Sequence, residues 1–504
     1  MHVPGAPAAP ARRGDARWAV ALVAVALPFL LLRLGAKDVW EASEGRPLQS
    51  AREMRAVGDY VVQRTNGQDD LTKPPLYAWA TRVAFDVFGE NEAAGRLPGV
   101  LAAVGCLLAV FVLARRVAGP RAGFLAGVAL LTTARFAWQA RLAELETSLA
   151  LGVLWAYVAL DAALERPAGA ARTRAALGGG LALGFAAAVK GPVAFALVVP
   201  GFLAHAAATR RLRDVVAPRF LAALLVATAL LLAWPVAAVL RDPGAKETLL
   251  SYARGDNVGH LRDPVWYLLQ YPLYALPWTP LVVVAARMRW ARGLEGAAAR
   301  RARLPLVAGA TTLLVQSCLH AKQTHYLVPV VFPAGALLAG LWLDRALADR
   351  PGATVRRAVA AAVGAVLLLE AAVLAFVVPA RNEEQSSRAF LARVDATVPR
   401  GAPLAWSVFG SHSDYLWHLS AERVGTTGVP ERVGATDAET ADLVAAFLRE
   451  APGPRYAIVT GEQADLLVAR GAATALARDD AFQRKRRRVA LVATPPTSPP
   501  GAPR

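Results

Sequence analysis

The sequence has little cysteine and little charge. Only two cysteines occur among the 504 residues, and both Cys106 and Cys318 lie inside apolar runs. A disulfide framework is therefore not expected, and both are interpreted as small packing residues. Charged residues make up 19% of the chain, whereas a soluble protein carries about 25%. This deficit excludes a soluble multidomain enzyme and a disordered chain.

Apolar residues are abundant instead, at 55% of the chain, and the mean hydropathy is +0.36. Apolar runs alternate with short charged loops from Trp18 to Val378. A membrane-spanning helix needs roughly 20 mostly apolar residues, and hydropathy predicts about eleven of them. The predicted spans are 17–36, 97–114, 122–134, 146–164, 175–189, 192–207, 219–240, 272–287, 304–319, 326–343 and 357–379. The sequence thus predicts an α-helical polytopic membrane protein.

The net charge of +18 arises from 56 Lys and Arg residues against 38 Asp and Glu residues. Such an excess also occurs in nucleic-acid-binding proteins, but here the basic residues cluster in alternate loops. With residues 1–16 in the cytoplasm, each even-numbered span returns to a basic loop, as at Arg115, Arg116 and Arg121. The excess is therefore a topological signal, and nucleic acid is not expected as a partner.

This topology predicts a membrane domain over 17–379 with a long first outer loop at 37–96. Residues 380–494 are predicted to form a small α/β domain on the outer, non-cytoplasmic side of the membrane. Residues 495–504, PPTSPPGAPR, are predicted to be a disordered tail.

The outer domain is predicted from strands that alternate with helices. A helix is expected over Glu384–Val398, and a second helix, capped by Asp437, is expected to run through Leu448. Strands are expected at Leu404–Phe409, Tyr456–Thr460 and Val489–Thr494.

The first outer loop carries an ordered series of polar motifs. It contains Ser43-Glu44-Gly45-Arg46, Arg52-Glu53-Met54, Gly58-Asp59 and then Lys73-Pro74-Pro75-Leu76. The two prolines suit the first turn of a helix, and the pattern that follows predicts an amphipathic helix over 74–88. Such a helix lies in the membrane interface, which would hold Lys73 at the depth of a lipid phosphate.

In these motifs the chain resembles the polyprenyl-phosphate-dependent type C glycosyltransferases, in particular the aminoarabinose transferases and protein O-mannosyltransferases. The resemblance covers about residues 15–345 and extends to further motifs: Arg141-Leu142-Ala143-Glu144-Leu145-Glu146, Lys190-Gly191-Pro192, Leu276-Pro277-Trp278-Thr279-Pro280, and Lys322 to His325-Tyr326-Leu327-Val328-Pro329. Two positions depart from the family, because Ser43 and Thr72 stand where the family has acids. The resemblance implies an inverting transfer of sugar from a lipid phosphate.

The chemistry of such a transfer needs a carboxylate to take the proton of an acceptor hydroxyl. Glu44 and Glu146 are the two candidates, and the choice between them is open. The transfer also needs cations to stabilise charge on the leaving phosphate. The candidates for this role are Arg46, Lys73, Arg141 and Lys190. Further candidates for contacts with substrate or metal are Asp59, His260, His325 and Tyr326, and a divalent metal cation is left open.

We therefore expect a glycosyltransferase that uses a polyprenyl-phosphate sugar donor, with a lipid, glycan or protein acceptor. One alternative is a transporter or lipid flippase. Such proteins place polar groups near the bilayer midplane and often show internal repeats, whereas the spans here hold few charges and no repeat is visible. Another alternative is a binding protein with an outer sensor domain, which leaves the motifs of the first outer loop without a role.

Overall fold

The structure is a computed structural model. It describes residues 13–40, 42–65, 67–254, 263–319, 322–349, 352–407, 417–419, 427–428, 436–450, 453–479 and 488–495. The chain divides into two compact units. The first unit comprises Met1–Leu34, Leu71–Ala80 and Arg96–Ala375, and the second comprises Gly35–Asp70, Thr81–Gly95 and Phe376–Arg504.

The first unit is built from helices. Its main helices are Arg13–Leu31, Glu92–Ala118, Pro120–Leu131, Ala134–Gln139, Leu145–Glu165, Ala170–Lys190, Val193–Ala208, Leu212–Val215, Pro218–Arg241, Ala245–Arg254, Trp266–Tyr274, Thr279–Ala285, Gly296–Cys318, Val331–Asp349 and Ala353–Ala372. Short 3₁₀ turns occur at Arg289–Ala291 and Thr324–Leu327, and a π-helical turn occurs at Val373–Val377.

Every predicted span overlaps helix in the described residues, but two spans, 272–287 and 326–343, are interrupted, and the helices differ in length. Five of the described helices are long and apolar enough to cross a membrane, and a bent pair raises this number to six. The pair, Trp266–Tyr274 and Thr279–Ala285, bends by 114°. Short helices such as Pro120–Leu131 account for other predicted spans. The structure therefore supports a multi-span helical membrane protein and leaves the predicted number of about eleven spans unconfirmed.

Small residues let several of these helices pack closely. A Cβ atom added to Gly340 would lie 2.4 Å from the Cα atom of Ala126 in the neighbouring helix. A Cβ atom added to Gly180 would lie 2.3 Å from the carbonyl oxygen of Ala223. Close backbone approach at small residues is the usual way in which helices associate in a bilayer. A larger residue at Gly340 or Gly180 would force the helices apart.

The helix that follows the two prolines confirms the predicted helix 74–88, with observed bounds Leu76–Phe88. Trp79, Val83 and Val87 are exposed on it at 39%, 58% and 66%. Exposed apolar side chains on one helical stripe fit an interfacial helix.

The second unit contains the strands. They are β1 (Arg64–Thr65), β2 (Gln68–Asp69), β3 (Leu404–Trp406), β4 (Thr427–Gly428), β5 (Tyr456–Thr460), β6 (Thr474–Asp479) and β7 (Val489–Ala493). β1 and β2 form a small antiparallel ribbon. The other five form one mixed sheet in the order β4-β3-β5-β7-β6, in which β4, β3 and β5 are parallel and β7 is antiparallel to both of its neighbours.

Helices cover both faces of this sheet. Arg388–Thr397 buries Phe390 and Val394 against one face. Asp437–Arg449 and Gly461–Ala469 pack against the other face. The α/β character predicted for this segment is therefore observed, while the predicted boundaries of a separate outer domain stay a prediction.

Several predictions for this segment need correction. The helix at Asp437–Arg449 is capped by Thr436 rather than Asp437, because the Thr436 hydroxyl accepts the Glu439 N–H at 3.2 Å. The Glu439 carboxylate in turn accepts the Thr436 N–H at 2.7 Å, which completes a capping box. Strand β3 ends at Trp406, and residues 408–409 of the predicted strand lie outside the described residues, as do 496–504 of the predicted tail. The strands β4 and β6 and the helix Gly461–Ala469 were not predicted.

Polar contacts join the segments of the second unit that are distant in sequence. The Asn382 side chain accepts the Asp38 N–H at 3.0 Å and the Trp40 indole N–H at 3.1 Å. The Arg388 guanidinium donates to Asp38 at 2.9 Å. Arg52 donates to the Trp417 carbonyl at 3.0 Å. The first outer loop and the C-terminal segment therefore fold as one unit.

Candidate active site

A buried ion pair lies at the centre of the candidate site in the first unit. Glu146 is in the first turn of the helix Leu145–Glu165, and Lys190 is the last residue of the helix Ala170–Lys190. The Lys190 ammonium donates to the Glu146 carboxylate. An acidic residue at a helix N-terminus and a basic one at a C-terminus both complement the helix dipole. Gly191, with a φ of 76°, ends the second helix and fixes Lys190 beside its partner.

His325 and Tyr326 lie on the other side of this pair. The Nε2 atom of His325 is 3.4 Å from the Glu146 carboxylate, and the Lys190 ammonium is 4.7 Å from the centroid of the Tyr326 ring. Burial lowers the pKa of His325 to about 4, although the Glu146 carboxylate acts in the opposite direction. His325 is therefore neutral at pH 7, and Lys190 supplies the countercharge of Glu146.

Glu146, Lys190 and Tyr326 line a cavity of about 420 Å³, a volume within the usual range for small-molecule sites. Its walls are Lys73, Glu146, Leu149, Lys190, Val193, Ala196, Leu197, Tyr267, Val315, Gln316, Leu319, Tyr326 and Pro329. Lys73 also donates to the carbonyl oxygen of Thr72 at 3.1 Å. The cavity therefore combines a largely apolar wall with two ammonium groups and one carboxylate.

Two polar residues of this cavity were missed in the sequence. Gln316 is 6% exposed, and its Nε2 atom donates to the Tyr326 carbonyl at 2.9 Å. The Tyr267 hydroxyl donates to the Gln323 carbonyl at 3.2 Å. A polar residue inside an apolar run is costly in a membrane, and this was the signal that could have identified Gln316.

Glu44, the other candidate base, lies in the second unit. It is in the first turn of the helix Ala42–Val57 and is fully buried. Its carboxylate pairs with the Lys37 ammonium at 2.7 Å. Glu44 is thus also a buried carboxylate held by a lysine.

Arg46 and Asp59 lie in the same unit. The Arg46 guanidinium is 3.5 Å from the Asp70 carboxylate, and its side chain is 32% exposed. The Asp59 carboxylate accepts the N–H groups of Val61 at 2.9 Å and Val62 at 3.2 Å. This geometry is that of an Asx turn. Asp59 therefore stabilises the local backbone, a role that the sequence did not reveal.

Arg141 binds backbone. Its guanidinium donates to the carbonyl oxygens of Phe29 at 3.0 Å, Leu30 at 2.7 Å and Leu32 at 2.6 Å. Phe29 and Leu30 lie in the last turn of the helix Arg13–Leu31 and Leu32 follows it, and carbonyl groups at a helix C-terminus have no partner within their own helix. Burial and the charge of Arg96 lower the pKa of Arg141 to about 10, so it stays protonated at neutral pH. Arg141 thus caps a helix, and its phosphate contact stays a prediction.

His260 lies outside the described residues. Among the residues that the structure does describe, no group of three or more His, Cys, Asp or Glu side chains is placed to hold a metal ion. The described residues therefore offer no ligand set for the divalent cation whose presence the sequence analysis left open.

Four predicted site residues therefore line one cavity, namely Lys73, Glu146, Lys190 and Tyr326, and His325 contacts Glu146. They come from four separate motifs of the sequence. Their individual chemical roles stay predictions.

Comparison with known proteins finds sequences that are similar to the part of the chain that forms this cavity. The family described as dolichyl-phosphate-mannose-protein mannosyltransferase matches residues 72–238, a range that contains Lys73, Glu146 and Lys190. The chain is 30% identical over 340 residues to the undecaprenyl phosphate-alpha-4-amino-4-deoxy-L-arabinose arabinosyl transferase of Aeromonas salmonicida, covering 65% of this chain and 60% of that protein. It is 28% identical over 338 residues to arabinosyl transferase 2 of Pseudomonas fluorescens, covering 65% and 57%. The chain thus matches about three fifths of the length of these relatives.

Solved structures agree on the fold. ArnT from Cupriavidus metallidurans in the apo state aligns with a TM-score of 0.75 at 21% identity, covering 95% of this chain and 98% of that one. The same protein bound to undecaprenyl phosphate aligns with a TM-score of 0.73. The chain therefore has the same fold as this ArnT structure. Together the comparisons confirm the predicted resemblance to polyprenyl-phosphate-dependent glycosyltransferases, and to the aminoarabinose transferases among them.

Proposed function

We propose that this protein is an inner-membrane glycosyltransferase that moves a sugar from an undecaprenyl-type phosphate to the hydroxyl group of an acceptor. The observation that carries the proposal is the cavity that joins Lys73, Glu146 and Lys190. It offers positive charge for a phosphate and a carboxylate for a proton, within the range matched by the mannosyltransferase family. The names of the curated relatives support a donor of this kind.

In the proposed mechanism Lys73 and Lys190 hold the donor phosphate. Glu146 takes the proton of the acceptor hydroxyl, whose oxygen then bonds to the anomeric carbon of the sugar. The bond between that carbon and the phosphate oxygen breaks, and the electron pair leaves with the lipid phosphate. The two ammonium groups stabilise the charge that grows on this phosphate.

The ion pair between Glu146 and Lys190 adds a step to this mechanism. A carboxylate that is fully paired with an ammonium is a weak base, because the cation favours its ionised form. An arriving donor phosphate competes for Lys190 and weakens that pairing. Donor binding therefore activates Glu146, so that proton removal follows the arrival of the sugar.

Glu44 is the second candidate for the base. Its buried pairing with Lys37 resembles that of Glu146 with Lys190. Glu146 is preferred in the proposal because it lines the cavity. The acceptor is proposed to be a lipid, a glycan or a protein, and a divalent cation held through His260 remains part of the hypothesis.

A transfer assay tests this proposal. Purified protein is incubated with undecaprenyl phosphate that carries a radiolabelled sugar and with candidate acceptors in detergent. We expect covalent transfer of the label and release of undecaprenyl phosphate in equal amounts. If proteoliposomes move the labelled lipid across the bilayer without any covalent transfer, the protein is a flippase and the proposal fails.

The basic loops support a cytoplasmic N-terminus and a periplasmic location for 37–96 and 380–504. Two exposed positions test this orientation: Val57, 49% exposed, in the first outer loop, and Val216, 70% exposed, in a basic loop. In a chain without Cys106 and Cys318, we expect an impermeant maleimide to label Val57→Cys from the periplasm. Labelling of Val216→Cys should require a permeabilised inner membrane. The reverse pattern would overturn the orientation.

A further inference from the structure

The first unit contains another cavity, of about 260 Å³, whose described lining residues differ from those of the candidate active site. Every lining residue is apolar or a glycine. Leu160 belongs to this wall and lies near the C-terminal end of the helix Leu145–Glu165, whereas Glu146 is in its first turn. A rise of 1.5 Å per residue separates the two residues by about 20 Å along the helix axis. We call this cavity the apolar groove.

The apolar groove is open to the surroundings of the helices that form it. Val216, Leu221 and Leu224 line it and are 70%, 52% and 42% exposed, whereas Phe220 and Ala223 form its buried side. An apolar surface that opens into a bilayer meets lipid chains, which are as apolar as leucine. A groove left empty would lose the dispersion contacts that such a chain supplies. A hydrocarbon chain is therefore the expected occupant.

Basic residues border one end of the apolar groove. The segment 209–219 connects two helices and contributes two valines to the wall. Its sequence, TRRLRDVVAPR, holds four arginines and one acid, Asp214. Arg213 and Arg219 each lie within two positions of a lining residue. This end of the groove thus carries an excess of positive charge.

Ion pairs with nearby carboxylates do not cancel this excess. Asp214 pairs with Arg211 and, at 3.1 Å, with Arg172. Arg213 and Arg219 make no ion pair with residues that the structure describes. Two further acids at this end of the bundle are each shared by two arginines: Asp161 by Arg116 and Arg301, and Glu165 by Arg211 and Arg300. Arginine therefore outnumbers acid here after these ion pairs are counted.

We propose that the apolar groove binds an acyl chain of an anionic phospholipid, whose phosphate group lies at Arg213 and Arg219. An apolar chain that ends in a negatively charged group matches an apolar groove bordered by arginines. Basic residues beside membrane helices attract anionic lipid headgroups. The bound lipid would stabilise the packing of the helices Ala170–Lys190 and Pro218–Arg241, which both line the groove. The inference does not depend on the proposed glycosyl transfer.

Native mass spectrometry of the delipidated full-length protein in detergent tests the choice of headgroup. The protein is titrated with dioleoyl phosphatidylglycerol or with dioleoyl phosphatidylcholine, which have the same chains but differ in net charge. We expect the first phosphatidylglycerol to bind roughly thirtyfold more tightly, the effect of two arginines near an anionic headgroup. Equal affinity for the two lipids would overturn the proposal.

A double variant tests the two arginines. Arg213→Gln with Arg219→Gln should bind phosphatidylglycerol no more tightly than phosphatidylcholine. The control is Arg356→Gln with Arg357→Gln, because these exposed arginines lie near the start of the helix Ala353–Ala372 and do not line the groove. We expect the control to keep the parent's preference. An equal loss in both double variants would show only diffuse attraction to a basic surface, and the proposal would be wrong.

A tryptophan in the groove tests the position of the acyl chain without changing charge. Leu221→Trp narrows the groove, and we expect it to weaken binding of both lipids about tenfold. Leu225→Trp is the control, since Leu225 is 70% exposed on the same helix and does not line the groove. If Leu221→Trp fails to fold, Val216→Trp narrows the same groove from the connecting segment.

Two outcomes of the tryptophan experiment would contradict the inference. Parent-like affinity for phosphatidylglycerol in Leu221→Trp and Val216→Trp would show that the arginines hold a headgroup while no chain enters the groove. The same spectra report the oligomeric state. A parent dimer that Leu221→Trp dissociates and Leu225→Trp does not would show that a second copy of the chain covers the groove instead of a lipid.

Discussion

Replacing Glu146 with glutamine is expected to lower sugar transfer by about 10²–10⁴-fold, the range usual for loss of a general base. Glutamine keeps the size of the side chain but cannot take the proton of the acceptor. The measurement is single-turnover transfer from a saturating undecaprenyl-phosphate sugar. Glu44→Gln is measured in parallel, and a large loss there with a small loss in Glu146→Gln would assign the base to Glu44.

The ion pair requires a control for folding. Glu146→Gln leaves the buried Lys190 ammonium without its partner, and breaking a buried pair costs about 3–5 kcal/mol of stability. The double variant Glu146→Gln, Lys190→Met removes both charges. We expect it to recover much of the thermal stability in detergent while transfer stays low. If transfer returned with stability, the loss in the single variant would be due to misfolding.

Replacing Lys73 with methionine is expected to weaken donor binding by roughly tenfold to a hundredfold. The loss corresponds to about 1.5–3 kcal/mol, the contribution of one hydrogen bond to a charged group. Lys73→Arg keeps the charge but presents a planar fork of different reach, so an intermediate loss is expected. Binding of undecaprenyl phosphate is measured for each variant.

A matched control separates a specific contact from a change in net charge. Lys246 is exposed on the helix Ala245–Arg254 and does not line the cavity. We expect Lys246→Met to bind undecaprenyl phosphate like the parent. Equal affinity of Lys73→Met and the parent would show that Lys73 only anchors its helix at the interface.

Hydropathy was sufficient to locate the helices, because each apolar run needs its backbone hydrogen bonds satisfied internally in a bilayer. It could not give the number of spans. The break between Trp266–Tyr274 and Thr279–Ala285 is a 114° bend that hydropathy does not detect. The strand β6 escaped prediction because it is an edge strand with several exposed side chains, which weakens its apolar pattern.

Motif order predicted four residues of the cavity, since each motif carries a charged or aromatic group whose burial is costly unless the group has a partner or a function. Gln316 belongs to no motif. Arg141 does belong to one, yet its contacts with Phe29, Leu30 and Leu32 join residues that are 109–112 positions apart. A local pattern cannot reveal a partner at that distance.

The contacts of Asn382 and Arg388 with Asp38 and Trp40 also have a consequence for biosynthesis. The ribosome delivers the first outer loop early and its partners in the C-terminal segment more than 340 residues later. The loop must therefore remain incompletely paired until these later residues have been synthesised. The speed of elongation therefore sets how long this unpaired segment is exposed to proteolysis during synthesis.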